Sequence, residues 1–292
     1  MQRSEQGTGV MSRFRDEVRR ELDGWAERGL RARFWVRDDD ACEASAPLAQ
    51  LHDLAAEHDI IIGLAVIPGK IRPSLLEFLT ETQRRFYPMC HGWQHINHAR
   101  PGRKPSEFGG ERAISALIED GQSALCAFRE HFGDREVVFV PPFGQISSAM
   151  VKALPEIGFA GLSTGPGWLE RKLSILSSFK IHVPKVHIPK MKIWHRPGVR
   201  RLDVQIDPID WRRRTAHAMD TICGAIVRCL RPRRMGFISS DVPIGLVTHH
   251  LAHDTRIWET CNDVLGLLRR HGGVEFLDAG EFFTGTTRRR ND

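Results

Sequence analysis

Apolar runs typical of buried strands alternate along this chain with amphipathic segments typical of helices. Residues 60–67 are almost continuously apolar and end at Pro68-Gly69, as expected for a strand that is buried on both faces. Residues 47–58 and 111–132 instead repeat apolar side chains at helical spacing. This alternation predicts an α/β fold, in which helices pack outside a parallel sheet.

The number of predicted strands favours closure of this sheet into a deformed (β/α) barrel of seven to eight parallel strands. Strands are predicted at residues 33–37, 60–67, 87–90, 137–140, 159–163, 244–248 and 274–277, with further candidates at 181–186 and 202–206. Helices are predicted at 47–58, from Pro73 onward, and at 111–132, 147–157, 211–230 and 254–270. We expect a helical extension over residues 1–30, one barrel domain over 31–284 and a disordered basic tail over 285–292.

Composition excludes several other classes of protein. Of the 292 residues, 41% are hydrophobic and 27% are charged, which is ordinary for a globular chain. No run approaches the roughly 18 apolar residues of a membrane span, and the polar N-terminus lacks a secretory core, so a cytoplasmic location is expected. The six cysteines are scattered without a C-x-x-C pair, which predicts reduced thiols.

Positive charge is concentrated in one segment. Residues 171–234 carry a net charge of +12, whereas the whole chain carries +6. The remainder of the chain therefore carries −6. This segment has few aromatic side chains on which nucleic-acid bases could stack, namely Phe179, Trp194 and Trp211. No nucleic-acid partner is therefore expected. Two alternatives stay open for this segment: a solvated basic face, or a rim that attracts an anionic substrate.

Four polar clusters each follow the end of a predicted strand. They are Asp38 to Asp40, His91 to His98, Pro141 to Gly144, and His249-His250. In a barrel the carboxyl ends of the strands converge on one face, where active sites lie. The sequence therefore predicts that these clusters meet in one pocket.

The two histidine pairs are ambiguous when each is taken alone. His91 and His95 lie one helical turn apart, close enough to bind one metal ion. However, 14 histidines in a chain of this length give about 0.7 such pairs by chance, and His249 and His253 repeat the spacing.

The other clusters also have structural alternatives. Three adjacent carboxylates at Asp38 to Asp40 repel one another, so they need a cation, a solvated turn or a helix N-cap. The turn from Pro141 to Gly144 either redirects the chain or lines a pocket with the amides of Phe143 and Gly144. The acidic stretch from Asp207 to Asp210 is equally suited to capping the helix predicted to start at Trp211.

Taken in order, these clusters resemble the motifs of the polysaccharide deacetylases, the NodB-homology proteins of carbohydrate esterase family 4. The matching segments are Asp39-Asp40, His91-Gly-Trp-Gln-His95, Val140-Pro-Pro-Phe-Gly144, Asp207-Pro-Ile-Asp210-Trp211 and Leu246-Val-Thr-His249. Together they span roughly residues 34 to 250. None is specific alone, but five in the right order form a strong combined signal.

The resemblance implies a metal-dependent hydrolase that deacetylates an N-acetylated sugar or glycan precursor. It assigns a divalent metal, expected to be zinc, to Asp40, His91 and His95. Asp39 would be the general base, and His249 the general acid, oriented by Asp210. Substrate binding would fall to a set of residues around the pocket, with a backbone amide near Phe143 binding the developing oxyanion. These residues are Pro142, Phe143, Gly144 and Trp211.

Two positions depart from the family pattern. Gly92 stands where a hydroxyl residue is usual, and Val140 stands where the family often has an arginine that pairs with the catalytic aspartate. Arg37 or another cation would then have to orient the base. The register of Asp38, Asp39 and Asp40, and that of His249 and His250, stays open by one position. The alternative function is an inactive barrel that binds carbohydrate or regulates a partner.

Overall fold

A parallel sheet flanked by helices forms the body of the protein. The computed structural model describes residues 3–82, 85–165, 195–196 and 199–284. The strands are β1 (Ala32–Ala41), β2 (Ile62–Val66), β3 (Phe86–His91), β4 (Val138–Val140), β5 (Gly161–Leu162), β6 (His195–Arg196), β7 (Val199–Arg201), β8 (Ile209–Asp210), β9 (Thr215–Ala216), β10 (Ile244–Thr248) and β11 (Val274–Phe276). The helices are α1 (Arg3–Ala26), α2 (Ala46–Glu57), α3 (Pro73–Glu81), α4 (Ile114–Phe132), α5 (Ser148–Ile157), α6 (Met219–Arg234), α7 (Thr255–Arg269) and α8 (Ala279–Thr284).

The strand order confirms the predicted fold class. In the described part of the chain, seven parallel strands follow one another in the order β10-β1-β2-β3-β4-β5-β7. Strand β11 pairs in parallel with the start of β1, β6 pairs antiparallel with β7, and β8 and β9 form a separate hairpin. The chain is a single α/β domain built as a deformed (β/α) barrel.

An extended segment over residues 202–206 links the two ends of this sheet. On one side, the amide of Leu202 donates to Leu162 at 3.1 Å. On the other side, the amide of Gln205 donates to Gly245 at 2.8 Å, and the amide of Val247 donates to Ile206 at 2.9 Å. The strand predicted here is therefore one isolated bridge, Ile206 to Leu246, rather than a regular strand, and the barrel is deformed at this point.

The apolar runs form the core as their patterns predict. All five residues of β2 are buried, because Ile62, Leu64 and Val66 pack in one apolar cluster and Ala65 packs in another. Helix α1 contributes Val18, Leu22 and Trp25, each fully buried, to the largest apolar cluster. The six cysteines are free thiols. No described helix is both long enough and apolar enough to cross a membrane.

The predicted helix over 211–230 is wrong at its start. Helix α6 begins at Met219, and the preceding residues form the β8–β9 hairpin. The carboxylate of Asp210 accepts the amides of Arg212 and Arg213 at 3.0 and 3.2 Å, which folds the chain into a turn rather than a helix.

Smaller differences concern element boundaries. Strand β1 continues through the three aspartates to Ala41, instead of ending before them. Helix α4 begins at Ile114, three residues later than predicted. The candidate strand at 181–186 and the basic tail at 285–292 lie outside the described residues.

Candidate metal centre and active site

Neighbouring strand ends bring the predicted clusters together at one end of the barrel. Asp38 to Asp40 lie in β1, while β3 ends at His91, β4 at Val140 and β10 at Thr248. Because β10, β1, β2, β3 and β4 are consecutive in the sheet, these ends lie side by side. The four clusters therefore meet at one end of the barrel, and Trp211 of the remaining motif packs against His249.

Asp40, His91 and His95 converge on one point. Oδ1 of Asp40 lies 3.1 Å from Nε2 of His91 and 3.1 Å from Nε2 of His95. The three ligand atoms all lie within 4.8 Å of one another. One oxygen and two nitrogens at this separation suit a divalent metal with open positions for water and substrate, so the donor set fits the ion that the motifs imply.

The pKa of Asp40 shows how strongly the two imidazoles act on it. Burial raises that pKa, but hydrogen bonds from His91 and His95 outweigh burial and hold it well below its usual value. Asp40 is therefore ionised, which is the form that binds a cation.

A turn, not a helix, brings the two histidines together. His91 is the last residue of β3, whereas His95 follows in a loop with left-handed backbone, φ 55°. Nδ1 of His91 donates to the carbonyl oxygen of Val140 at 3.1 Å, which leaves Nε2 facing Asp40. Val140 thus contributes its carbonyl to the site.

An irregularity at the end of β1 explains how two adjacent aspartates serve one pocket. The register of β1 with β2 shifts between Asp38 and Ala41, and Asp40 has φ 78°, a conformation that aspartate tolerates better than most residues. The bulge turns Asp40 toward the histidines while Asp39 keeps its contacts within the barrel.

Arg37 pairs with Asp39 in the interior. Nε of Arg37 donates to Oδ1 of Asp39 at 2.7 Å and Nη2 donates to Oδ2 at 2.9 Å, a bidentate pair in which both side chains are buried. Nη1 of Arg37 donates to the hydroxyl and carbonyl oxygens of Ser163 at 2.8 and 3.2 Å. Burial raises the pKa of Asp39, but the positive charge and hydrogen bonds of Arg37 outweigh burial and hold that pKa below its usual value, so the carboxylate is ionised. Arg37 thus pairs with Asp39 in place of an arginine at position 140, where this chain has valine.

Asp38 points away from this pair and binds the residues at the end of β10. Its carboxylate is fully buried and accepts the hydroxyl of Thr248 at 2.7 Å and the amide of His250 at 2.9 Å. Nδ1 of His250 lies 2.5 Å from Oδ1 of Asp38. Asp38 and His250 therefore face each other beneath the pocket, which leaves Asp39 and His249 facing it.

His249 lies between Asp39 and an exposed tryptophan. Its Nε2 is 3.8 Å from Oδ2 of Asp39. The ring of Trp211 meets the imidazole edge-on, with centroids 4.8 Å apart and an interplanar angle of 87°. Among the described residues, Nδ1 of His249 has no hydrogen-bond partner.

The two aspartates of the fourth motif have different surroundings. Asp210 accepts the guanidinium of Arg213 at 3.0 Å as well as the turn amides, and no described hydrogen bond joins it to His249. Asp207 instead accepts the indole N–H of Trp211 at 2.8 Å, and burial raises the pKa of Asp207. Asp207, not Asp210, therefore holds the side chain that packs on His249.

The turn after β4 presents an aromatic ring to the metal ligands. Phe143 has φ 58° and is 37% exposed, and its ring centroid lies 4.3 Å from that of His95. The amide of Gly144 donates to the carbonyl of Pro141 at 3.1 Å and is engaged within the turn. The amides of Phe143 and Gly144 were both expected to face the pocket. Because the Gly144 amide is engaged in the turn, the amide of Phe143 is the candidate donor.

Two supporting residues carry no motif in the sequence. Ser163 contacts Arg37, and Glu107, in the loop between β3 and α4, accepts amides of the turn that carries His95. Their positions follow from which loops and strands meet, so no local pattern could identify them. Asp207 had a signal, since it belongs to the motif that ends at Trp211.

Solved structures share this fold, whereas no protein-family profile and no curated protein sequence matches the chain. A CE4 family pseudoenzyme from Bacillus anthracis matches with a TM-score of 0.50 and 11% identity over 85% of this chain and 64% of that one. The T48 deacetylase with substrate gives 0.48 and 13% over 89% and 94%, respectively. A family 4 acetyl xylan esterase from Clostridium thermocellum, in complex with a cobalt ion, gives 0.47 and 12% over 86% and 90%.

These likenesses concern the fold. The pseudoenzyme from B. anthracis reaches a TM-score of 0.50, and at 11% identity it establishes a shared architecture. The backbone of this chain therefore follows the same deformed barrel as that CE4 family protein, which is the fold that the five sequence motifs imply.

Proposed function

We propose that this protein is a metal-dependent amide hydrolase that deacetylates an N-acetylated sugar or glycan precursor. The observation that carries the proposal is the convergence of Asp40, His91 and His95 beside a buried Arg37–Asp39 pair. A cluster of ligand atoms alone would suit a structural metal. A separate ionised carboxylate next to it suits hydrolysis.

Asp40, His91 and His95 would hold the metal, for which we propose zinc. When bound, a divalent ion polarises the acetyl carbonyl and makes a coordinated water more acidic. The carbonyl of Val140 keeps the proton of His91 on Nδ1 and so presents Nε2 to the ion.

Asp39 and His249 would divide the proton transfers between them. Asp39 takes the proton from the attacking water, and Arg37 holds both of its oxygens in place while keeping it ionised. His249 then donates a proton to the leaving nitrogen. The proposed role of Asp210 in orienting His249 requires its carboxylate to leave Arg213, whereas Asp207 already supports His249 through Trp211.

Phe143 and Trp211 would flank the substrate. Their rings pack on His95 and His249 and stay 37% and 51% exposed, which suits contact with a sugar ring. Pro142 and Gly144 shape the turn that presents Phe143. The amide of Phe143 is the proposed donor to the developing oxyanion.

The decisive experiment combines a metal titration with an assay for released acetate. Purified metal-free protein is titrated with zinc or cobalt and supplied with N-acetylated chitooligosaccharide. Stoichiometric binding with metal-dependent acetate release supports the proposal. Asp39→Asn should keep the metal and lower turnover by about 10²- to 10⁴-fold, because it removes the base and leaves the ligands. Asp40→Asn should lose metal affinity first.

A second candidate function is a barrel that binds carbohydrate without cleaving it. The observation that favours it is Nδ1 of His249, which has no hydrogen-bond partner among the described residues, so no hydrogen bond orients the ring of the proposed acid. Binding of the oligosaccharide with metal present but no acetate release, across a panel of acyl groups, would favour this candidate.

We further propose that the substrate is anionic. Arg212, Arg213 and Arg214 directly follow Trp211 and are exposed, within the segment of +12 charge. Attraction by such a rim weakens with salt, since screening acts over about 10 Å at 0.1 M. The kcat/KM of an acidic N-acetyl oligosaccharide should fall more steeply across a salt series than that of a neutral one. Equal salt dependence would assign these arginines to a solvated surface.

A further inference from the structure

The loop after β3 carries His95 in an unusual backbone conformation. Gly92 and His95 both have left-handed backbone, with φ 59° and 55°. Residues other than glycine avoid this region, so contacts with the surroundings must hold His95 in it.

The carboxylate of Glu107 lies at the centre of this turn. Its Oε1 accepts the amides of Gln94 and Ile96 at 2.8 and 3.2 Å, and its Oε2 accepts the amide of Trp93 at 3.1 Å. These three amides bracket His95 on both sides. Successive amides that converge on one anion form a concave nest, and hydrogen bonds to a charged acceptor are stronger than neutral ones.

Glu107 is a buried carboxylate that the backbone compensates. It is 1% exposed, and no salt bridge to it is found in the described part of the chain. Its solvation in the folded protein therefore comes from the three amides of the turn. The carboxylate depends on these amides, because its burial removes water as an alternative partner.

The glycine at position 92 fits the same arrangement. A Cβ on Gly92 would lie 2.2 Å from Oε2 of Glu107 and 2.4 Å from Cγ of Pro142. The space next to residue 92 is filled by this carboxylate, which leaves no room for the hydroxyl residue that the family motif usually has there. In this fold the position of the Glu107 carboxylate requires a glycine at residue 92.

We infer that Glu107 is a positioning residue for His95: its carboxylate gathers the amides of residues 93, 94 and 96 and so aims the imidazole at Asp40. The inference rests on the proposed metal centre for its consequence, since the aim of His95 matters only if it is a ligand. Its structural part, the ordering of the turn by Glu107, does not depend on the metal.

The test compares Glu107→Ala with Glu107→Gln and with a matched control. Glu111→Ala is that control, because Glu111 is an exposed glutamate of the same loop that accepts one amide, from Arg100 at 3.1 Å. Two quantities are measured: hydrogen exchange of the amides of residues 93, 94 and 96 in metal-free protein, and cobalt or zinc affinity by titration against a competing chelator.

Glu107→Ala should lose exchange protection at these amides and bind metal about 10- to 100-fold more weakly, the usual range for residues that orient a ligand. Glu107→Gln should be intermediate, because its carbonyl oxygen still accepts from Gln94 and Ile96 while its amide nitrogen faces the Trp93 N–H. Glu111→Ala should match the wild type in both measurements.

Unchanged exchange and unchanged affinity in Glu107→Ala would overturn the inference. If that variant fails to fold, the graded effect of Glu107→Gln decides, and a Gln variant equal to wild type would count against the inference. Should the wild-type protein bind no metal, the proposed function fails, while the exchange data still show whether Glu107 orders the turn.

Discussion

Two histidine pairs of equal spacing, His91 with His95 and His249 with His253, have different surroundings in this protein. Nε2 of His91 and Nε2 of His95 both lie 3.1 Å from one oxygen of Asp40. In the second pair, Nε2 of His253 accepts the backbone amide of His249 at 3.4 Å, and its ring packs edge-on against Trp258 at 4.3 Å. The first pair shares one carboxylate, whereas in the second pair His249 faces Asp39 and His253 packs against Trp258.

The difference shows what makes a pair of histidines a candidate ligand set. Neither pair lies on an α-helix, so identical spacing gives different geometry in each case. His95 is turned toward Asp40 by a left-handed residue and a buried glutamate, while His253 follows a short helical turn at His250–Ala252. A carboxylate within reach of both imidazoles, not the spacing, distinguishes the first pair.

The largest expected effect is loss of the metal. His91→Ala and His95→Ala each remove one of three ligands, so each should abolish stoichiometric binding, with affinity reduced by more than about 100-fold. Calorimetric titration of the metal-free proteins measures this, and circular dichroism checks the fold. His253→Ala is the control and should bind metal as the wild type does. A metal requirement for His253 but not for His95 would reverse the comparison.

The next effect separates His249 from the histidine that follows it. His249→Ala should slow turnover by about 10²- to 10⁴-fold with metal binding intact, because it removes the proposed acid 3.8 Å from Asp39. Single-turnover release of acetate measures the loss. If His250→Ala gives the large loss and His249→Ala a small one, the assignment at the end of β10 moves by one residue.

His250 should matter chiefly for stability. It is buried against Asp38, so His250→Ala leaves that carboxylate without its imidazole partner. Removing one member of a buried pair typically costs about 3–5 kcal/mol in the free energy of unfolding. Urea denaturation at neutral pH measures this cost. A loss below about 1 kcal/mol would show that Thr248 and the backbone suffice to hold Asp38.

The smallest effect appears only in acid. Burial lowers the pKa of His253 from 6.5 to about 4, so the unfolded chain takes up a proton that the folded chain refuses. The free energy of unfolding should therefore fall as pH drops below about 6.5 and level off near pH 4, by at most about 3 kcal/mol. His253→Gln should remove this part of the slope. Denaturation midpoints of both proteins from pH 7 to pH 4 provide the comparison, and parallel curves would contradict it.

Local patterns predicted most of the secondary structure, and they failed where a side chain captured the backbone. The run at 60–67 became a buried strand, and Ser45, Ser147 and Asp254 cap the starts of their helices. The helix expected from Trp211 was displaced because Asp210 binds the next two amides. Whether a side chain binds the backbone in this way depends on the conformation of the whole segment. The helical spacing of apolar residues cannot predict it.

The candidate site, too, was predicted only in part from the sequence. The order of the motifs was sufficient to nominate Asp39, Asp40, His91, His95 and His249, since each follows or ends an apolar strand. Their partners, by contrast, could not be nominated. Ser163 reaches Arg37 across 126 residues and Asp38 reaches His250 across 212, and contacts over such separations leave no local pattern.

By itself, the sequence determined the alternation of strands and helices, the convergence of strand ends and the residue types available there, because these depend on local hydrophobic period and strand direction. Only the tertiary structure decided which aspartate faces the histidines, which cation replaces the missing arginine and which glutamate holds the turn at His95. Those choices arise from a bulge at Asp40, from a side chain two residues before Asp39 and from a buried carboxylate at position 107. The physical reason is that a buried charge is stable only where donors from several segments meet, and that meeting exists only in the folded chain.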